Sequence, residues 1–248
     1  MRWLRPLVVA VSLGTGTVAA QESQGLVVRQ LDFQGNRAIP DEVLASAIGT
    51  TNSSWFARGF LVRWLGLGEK RYFDEQEFRR DVVRLQVLYR RSGYPHVAID
   101  TTVRRDPQDV HITFRIEEGA PIVVRSLEII GIDSLAAWLQ RRARLDLPLR
   151  TGDPFNRYAM QATADSITRR LKDRGYPDAR VFTAFESDRD AGLADVHLEV
   201  VPGNRAVFGE VSVIGAQRIE PALVRNLLVA RPGRRYSQDE LFQSQRNL

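Results

Sequence analysis

FDEQEFRRDVVRLQVLYRRSGYPHVAIDTTV (residues 73–103) is answered by FNRYAMQATADSITRRLKDRGYPDARVFTAF (residues 155–185), and the match between the two decides the fold. Gly93-Tyr94-Pro95 recurs 82 residues later as Gly175-Tyr176-Pro177, and Phe73 and Phe155 each stand 21 residues before the tyrosine of that tripeptide. Between these markers lie Phe78, Val82, Leu85 and Tyr89 in one copy and Met160, Ala164, Ile167 and Leu171 in the other. Steps of four, three and four place each set on one face of a helix. Arg79, Arg80, Arg84 and Arg91, or Arg169, Arg170 and Arg174, fall on the opposite, solvated face. The shared spacing predicts two helices of equal length. Gly93 and Gly175 can close them in the left-handed conformation, and the proline two residues on forbids continuation. The tripeptide reads as a cap leading into a strand, not as a binding motif.

Downstream, each copy alternates with period two: Val97, Ile99, Thr101 and Val103, then Ala179, Val181, Thr183 and Phe185. A turn follows at Asp106–Asp109 or, longer, at Asp188–Asp195, and then a second strand with Val110, Ile112, Phe114 and Ile116, or Val196, Leu198 and Val200, facing inward. Upstream, each copy opens with a strand (Val27–Phe33, Val123–Ile129 and, a third time, Val207–Val213). A glycine ends each strand at Gly35, Gly131 and Gly215, and a short helix such as Ile39–Ile48 or Glu220–Val229 follows. The order strand, helix, helix, strand, strand predicts an α+β unit in which two helices cover a three-stranded mixed sheet. The expected units are 26–119, with an insertion at 50–70, then 121–203 and 205–248. In the third, Tyr236, Leu241 and Leu248 take the places of Phe73, Phe78 and Leu85. That copy stops inside a helix, so its two hairpin strands are expected on a longer polypeptide.

The 248 residues, 44% hydrophobic and 26% charged, supply more than one core but not a polytopic membrane protein. Absence of cysteine excludes disulfide scaffolds, thiolate metal sites and thiol nucleophiles. Of the histidines, His96, His111 and His197, the last two occupy matching outward positions and read as repeat positions, not a metal pair. Asp188, Asp190 and Asp195 lack helix–loop–helix calcium spacing and read as an acidic turn. No phosphate-cradling loop, flanked nucleophilic serine or convergent acid–base set is present, so no catalytic, cofactor or metal site is expected and the segment does not read as an enzyme. The net charge of +5 is carried almost wholly by arginine, lysine occurring only at Lys70 and Lys172, and reads as a solvated surface without a nucleic-acid partner.

Residues 1–20 carry Arg2 and Arg5, an apolar centre from Leu7 to Leu13 and the small-residue end Val18-Ala19-Ala20, the pattern of a cleaved secretory signal peptide. The insertion holds Trp55, Phe56, Phe60 and Trp64 beside Arg58 and Arg63. Its spacing fits a short amphipathic helix resting on a membrane or partner surface, or a longer loop packed back on its own unit.

The repeated order, the Gly35-Asn36 end of the first strand, the Tyr89-x-x-x-Gly-Tyr-Pro helix end and the exported N-terminus together resemble polypeptide-transport-associated (POTRA) domains, which stand in tandem before the barrel of BamA/TamA-like outer-membrane assembly factors. The resemblance spans residues 26–248. It implies a periplasmic module that receives unfolded outer-membrane proteins, works with accessory lipoproteins or subunits, and meets the outer membrane through a C-terminal barrel. It also implies a central third strand and an open second strand, to which clients add as a further strand. The edges so implied are Val97–Arg104 and Ala179–Glu186. Alternatives of another role are the same region of a secretion pore for one exported partner, or a periplasmic structural module of cell division.

Overall fold

The computed structural model describes residues 26–50, 72–214 and 220–248. The segment read as a signal peptide and the insertion with Trp55, Phe56, Phe60 and Trp64 lie outside them. The first unit runs β1 (Val27–Gln34), α1 (Asp41–Ala47), α2 (Glu75–Arg91), β2 (Ala98–Arg105) and β3 (Asp109–Glu117). The second runs β4 (Val123–Ile130), α3 (Ala137–Arg144), α4 (Arg157–Lys172), β5 (Arg180–Asp188) and β6 (Leu193–Val201). The sheets have the orders β1-β3-β2 and β4-β6-β5, with the opening strand parallel and the middle strand antiparallel to the closing one. Each is a mixed three-stranded sheet in an α+β unit, as the repeat predicts.

The helical stripes do what their spacing predicts. Leu85, Tyr89, Ile167 and Leu171 are fully enclosed, and Phe78, Met160 and Ala164 nearly so. They meet the inward sets of the closing strands, Val110, Ile112, Phe114 and Ile116 in one core and Val196, Leu198 and Val200 in the other. The two cores are separate. α2 and α4 begin alike, with the side chain of Asp74 accepting from the amides of Gln76 and Glu77, and that of Asn156 from Tyr158 and Ala159. Both stop at a glycine of positive φ, +98° at Gly93 and +100° at Gly175.

The opening strands share a device that alternation does not reveal. Register slips by one residue between Val28 and Gln30 and again between Val124 and Ser126, which leaves Arg29 and Arg125 on a bulge. Each reaches an aspartate of the closing strand: Arg29 Nε lies 3.1 Å from Asp109, and Arg125 donates to both carboxylate oxygens of Asp195 through Nε and Nη2. Ser126 Oγ also donates to Asp195 at 2.5 Å. The Arg125 guanidinium first, and the Ser126 hydroxyl next, draw the Asp195 carboxyl down from 3.8 to about 2. A carboxyl held below its unfolded value contributes stability that is complete above pH 4 or so and fades as pH falls through the folded value near 2. We expect Arg125→Gln to return the Asp195 titration, followed by carboxyl carbon NMR, toward the ordinary range and to move the onset of acid unfolding of this unit to higher pH.

The Gly35-Asn36 turn is tied to the helix end by one carboxylate. Glu118 Oε1 accepts from the amides of Arg37 and Ala38, both at 2.8 Å, and from the Tyr89 hydroxyl at 3.2 Å. Burial, with Glu118 beside it, pushes the Tyr89 phenol well above its usual range, so it remains a donor.

The Gly-Tyr-Pro tripeptide has a second role besides capping. The Gly93 carbonyl accepts from Ile122 N at 2.8 Å, and the Ile122 carbonyl accepts from Phe155 N at 2.7 Å. The same relay recurs from Ala206 N to the Gly175 carbonyl, 2.8 Å, and from Tyr236 N to the Ala206 carbonyl, 3.1 Å. The helix end of each unit thus meets the start of the next. A Cβ on Gly93 would stand 2.5 Å from the Phe155 carbonyl oxygen, so the glycine is required by contact as well as by φ.

Beyond β6 the chain forms α5 (Pro221–Leu227) and α6 (Gln238–Arg246). The entry to this region copies the units before it, since Val207 bridges Arg235 as Val27 bridges Tyr72 and Val123 bridges Pro154. The opening strand expected at Val207–Val213 is not formed: Val207 makes that bridge and residues 208–214 have no ladder. In the first two units this strand is held by its parallel partner, the closing strand, and among the described residues the third region has none. Leu223, Leu241 and Leu248 are correspondingly exposed.

Candidate binding edges of the two sheets

Among the described residues β2 and β5 each pair on one side only, with β3 and β6, so each offers the other side of its backbone. The phase of that side is fixed at Thr101, whose amide turns away from β3 and donates to the carboxylate of its own neighbour Asp100 at 2.8 Å. By the period of two, Ile99 and Val103 present their amides the same way. Thr101 faces Phe114 across the ladder and Thr183 faces Leu198 at the corresponding place, so Val181, Thr183 and Phe185 are the outward amides of β5.

The side chains of the predicted edge residues are placed as follows. Ile99 and Val103 are half-buried against the first core, and Val181 and Phe185 against the second; Thr101 and Thr183 are half-buried between them. Val97 and Ala179 are buried core residues that stand one position before their strands. They stand outside the ladders and add nothing to the open edge. The solvent face of β2 carries Ala98, Asp100, Thr102 and Arg104, and that of β5 carries Arg180, Phe182, Ala184 and Glu186. An arginine stacks on an aromatic in each unit: Arg105 lies 5.7 Å from the centroid of Phe73, and Arg157 lies 4.6 Å from that of Phe185. Phe185 also packs on Phe155, with centroids 4.8 Å apart.

The polar groups singled out in the sequence are engaged elsewhere. His111 lies 3.1 Å from Gln30 and 3.2 Å from Asp106, and His197 lies 3.1 Å from Glu128, each bridging to the opening strand or the turn of its own unit. Asp188 accepts from the amides of Asp190 and Ala191, and so builds the turn itself. What the arrangement offers chemically is a row of outward-facing backbone amides along each edge strand.

The two-unit fold has counterparts among known proteins. The family model described as POTRA, surface antigen variable number repeat, matches residues 26–119 and 136–203. The chain belongs to the POTRA family. Its tandem POTRA units are similar to the outer membrane protein assembly factor BamA of Neorickettsia risticii (strain Illinois), at 22% identity over 234 residues, covering 93% of this chain and 30% of that protein. They are also similar to BamA of Neisseria meningitidis serogroup B (strain ATCC BAA-335 / MC58), at 21% identity over 216 residues, covering 85% of this chain and 26% of that one. The crystal structure of Haemophilus influenzae BamA POTRA3-5 superposes with a TM-score of 0.52 at 19% identity, covering 93% of this chain and 87% of that one. At that identity the likeness is one of fold. The POTRA chain described here spans less than a third of the length of the curated relatives it matches.

Proposed function

We propose that this chain is the periplasmic receiving region of an outer-membrane protein assembly factor, reached through the signal peptide at residues 1–20, and that unfolded outer-membrane proteins dock by adding a strand to an open sheet edge. The observation that carries the reading is the single-sided pairing of β2 and β5 in both units, with outward amides at alternate residues. Backbone pairing of this kind ignores most side chains and therefore suits a receiver of many clients. The relatives named as assembly factors extend well beyond the matched region. In this proposal the remaining length supplies the barrel that joins the region to the outer membrane, and accessory lipoproteins or subunits bind the same scaffold. The aromatic insertion with Trp55, Phe56, Phe60 and Trp64 is offered as a further membrane or partner surface.

Proline at Ile99 or Val181 tests the edge directly. Each substitution deletes an outward donor without touching the ladder to β3 or β6, since these amides face away from it. We expect photo-crosslinking of an unfolded barrel protein to fall several-fold in at least one variant while circular dichroism stays that of the wild type. Crosslinking that is unchanged in both folded variants refutes strand addition.

A further inference from the structure

The two edges are not equivalent, although the registers of their ladders correspond. The row across the first sheet that holds Asp100 reads Gln34, Arg115, Asp100, and the corresponding row of the second reads Ile130, Glu199, Phe182. Asp100 closes its own edge. Its carboxylate takes the outward amide of Thr101, and it places a charge in the middle of the strand, where an incoming backbone would have to desolvate it. Phe182 has no acceptor to offer Thr183, and it stands 55% exposed. Val201, diagonal to it across the β5–β6 ladder, and Ile130, in its own row, are exposed too, where the first sheet has Glu117 and Gln34.

Charge is distributed to match. β5 presents an uncharged run, Val181–Phe185, between Arg180 at one end and Glu186 and Asp188 at the other. β2 has Asp100 within and two arginines at its end. We infer that the strand-addition site is the edge of β5 in the second unit, and that Asp100 keeps the edge of β2 shut. The occupant is an extended polypeptide segment of alternating polarity. It has uncharged residues along Val181–Phe185, an apolar one against Phe182, an acidic residue near Arg180 and a basic residue near Glu186. This inference rests on the strand-addition reading above and says which edge serves it.

The test uses the isotopically labelled chain and a short peptide, Lys-Thr-Val-Thr-Val-Thr-Glu, as probe. We expect hydrogen exchange at the Thr183 and Phe185 amides to slow on addition of the peptide, the Thr101 amide to stay unchanged, and one peptide to bind per chain. Phe182→Asp, at a site exposed enough to leave folding intact, is expected to weaken binding about tenfold, the combined worth of a cross-strand pair and a masked donor. Asp100→Ala is expected to open the first edge, so that the Thr101 amide becomes protected and a second peptide binds. Equal protection of Thr101 and Thr183 in the wild type, or no second site in Asp100→Ala, overturns the assignment while leaving strand addition standing. Peptide that protects neither edge, or does not bind, overturns strand addition itself and the assignment with it.

Discussion

Gly131→Ala is expected to destabilise the second unit strongly while leaving the first intact. The residue closes β4 at φ +82°, a conformation that costs an alanine about 1–2 kcal/mol. The larger penalty is steric. A Cβ built there stands 2.2 Å from the Val200 carbonyl oxygen, a backbone atom of β6, the central strand of the sheet. Neither partner is a flexible side-chain end, so the turn or the strand must move, and overpacking of this kind costs about 1–3 kcal/mol more. A loss of about 3 kcal/mol corresponds to roughly a hundredfold faster hydrogen exchange at the most protected amides of β6, with those of β3 unchanged because the two cores are separate. Gly35→Ala should transfer the same effect to the first unit, where the contact is with the Ile116 carbonyl oxygen, also at 2.2 Å. An alanine variant with wild-type exchange in β6 would show that the turn relaxes around the methyl.

Local periodicity made much of this architecture legible. A helix buries every third or fourth residue and a strand every second, so the stripes at Phe78–Tyr89 and Met160–Leu171 and the alternation in β3 and β6 were written in the chain. Strand order was less so: nothing in one strand's own sequence says which neighbour it takes, and the central place of β3 and β6 came from the resemblance. The meeting of Gly93 with Ile122 and Phe155 stayed hidden because the tripeptide already had a sufficient local explanation as a cap. Asp100 and Phe182 occupy equivalent outward positions of their strands, which alternation alone does not distinguish. Their difference appears only once the Thr101 amide is seen to turn outward into the carboxylate. Local pattern failed at residues 208–214, because a strand is a relation between two segments and its ladder partner is not among the described residues.

The feature that sequence reading missed altogether sits inside the helical stripe, three residues after Phe78, Met160 and Leu241. Asp81, Thr163 and Ser244 are all buried there, and each turns its side chain to the backbone at or just beyond the end of the preceding short helix. Asp81 accepts from Gly49 N and Thr50 N, both at 2.8 Å, and from Arg84 at 2.6 Å. Thr163 accepts from Leu149 N at 3.0 Å, and Ser244 from Val229 N and Ala230 N at 2.9 Å. The three residue types share only a short side-chain oxygen, so identity could not reveal them, whereas a lone polar position within each apolar stripe could have. Asp81→Ala removes the acceptor and leaves two amides without their partner beside a core that excludes water, at about 1–3 kcal/mol for each. We expect a loss of about 3 kcal/mol, seen as a fall of the first unit's melting temperature by about 15 °C. Asp81→Thr places the second unit's residue in the first and should recover part of that loss, since one hydroxyl oxygen replaces one of the two acceptors. Thr163→Val, which keeps the shape and deletes the single acceptor, should cost the second unit only about 1–2 kcal/mol. Equal losses for Asp81→Ala and Asp81→Thr would mean that the carboxylate acts through Arg84, and that the shared position in the three helices has no common role.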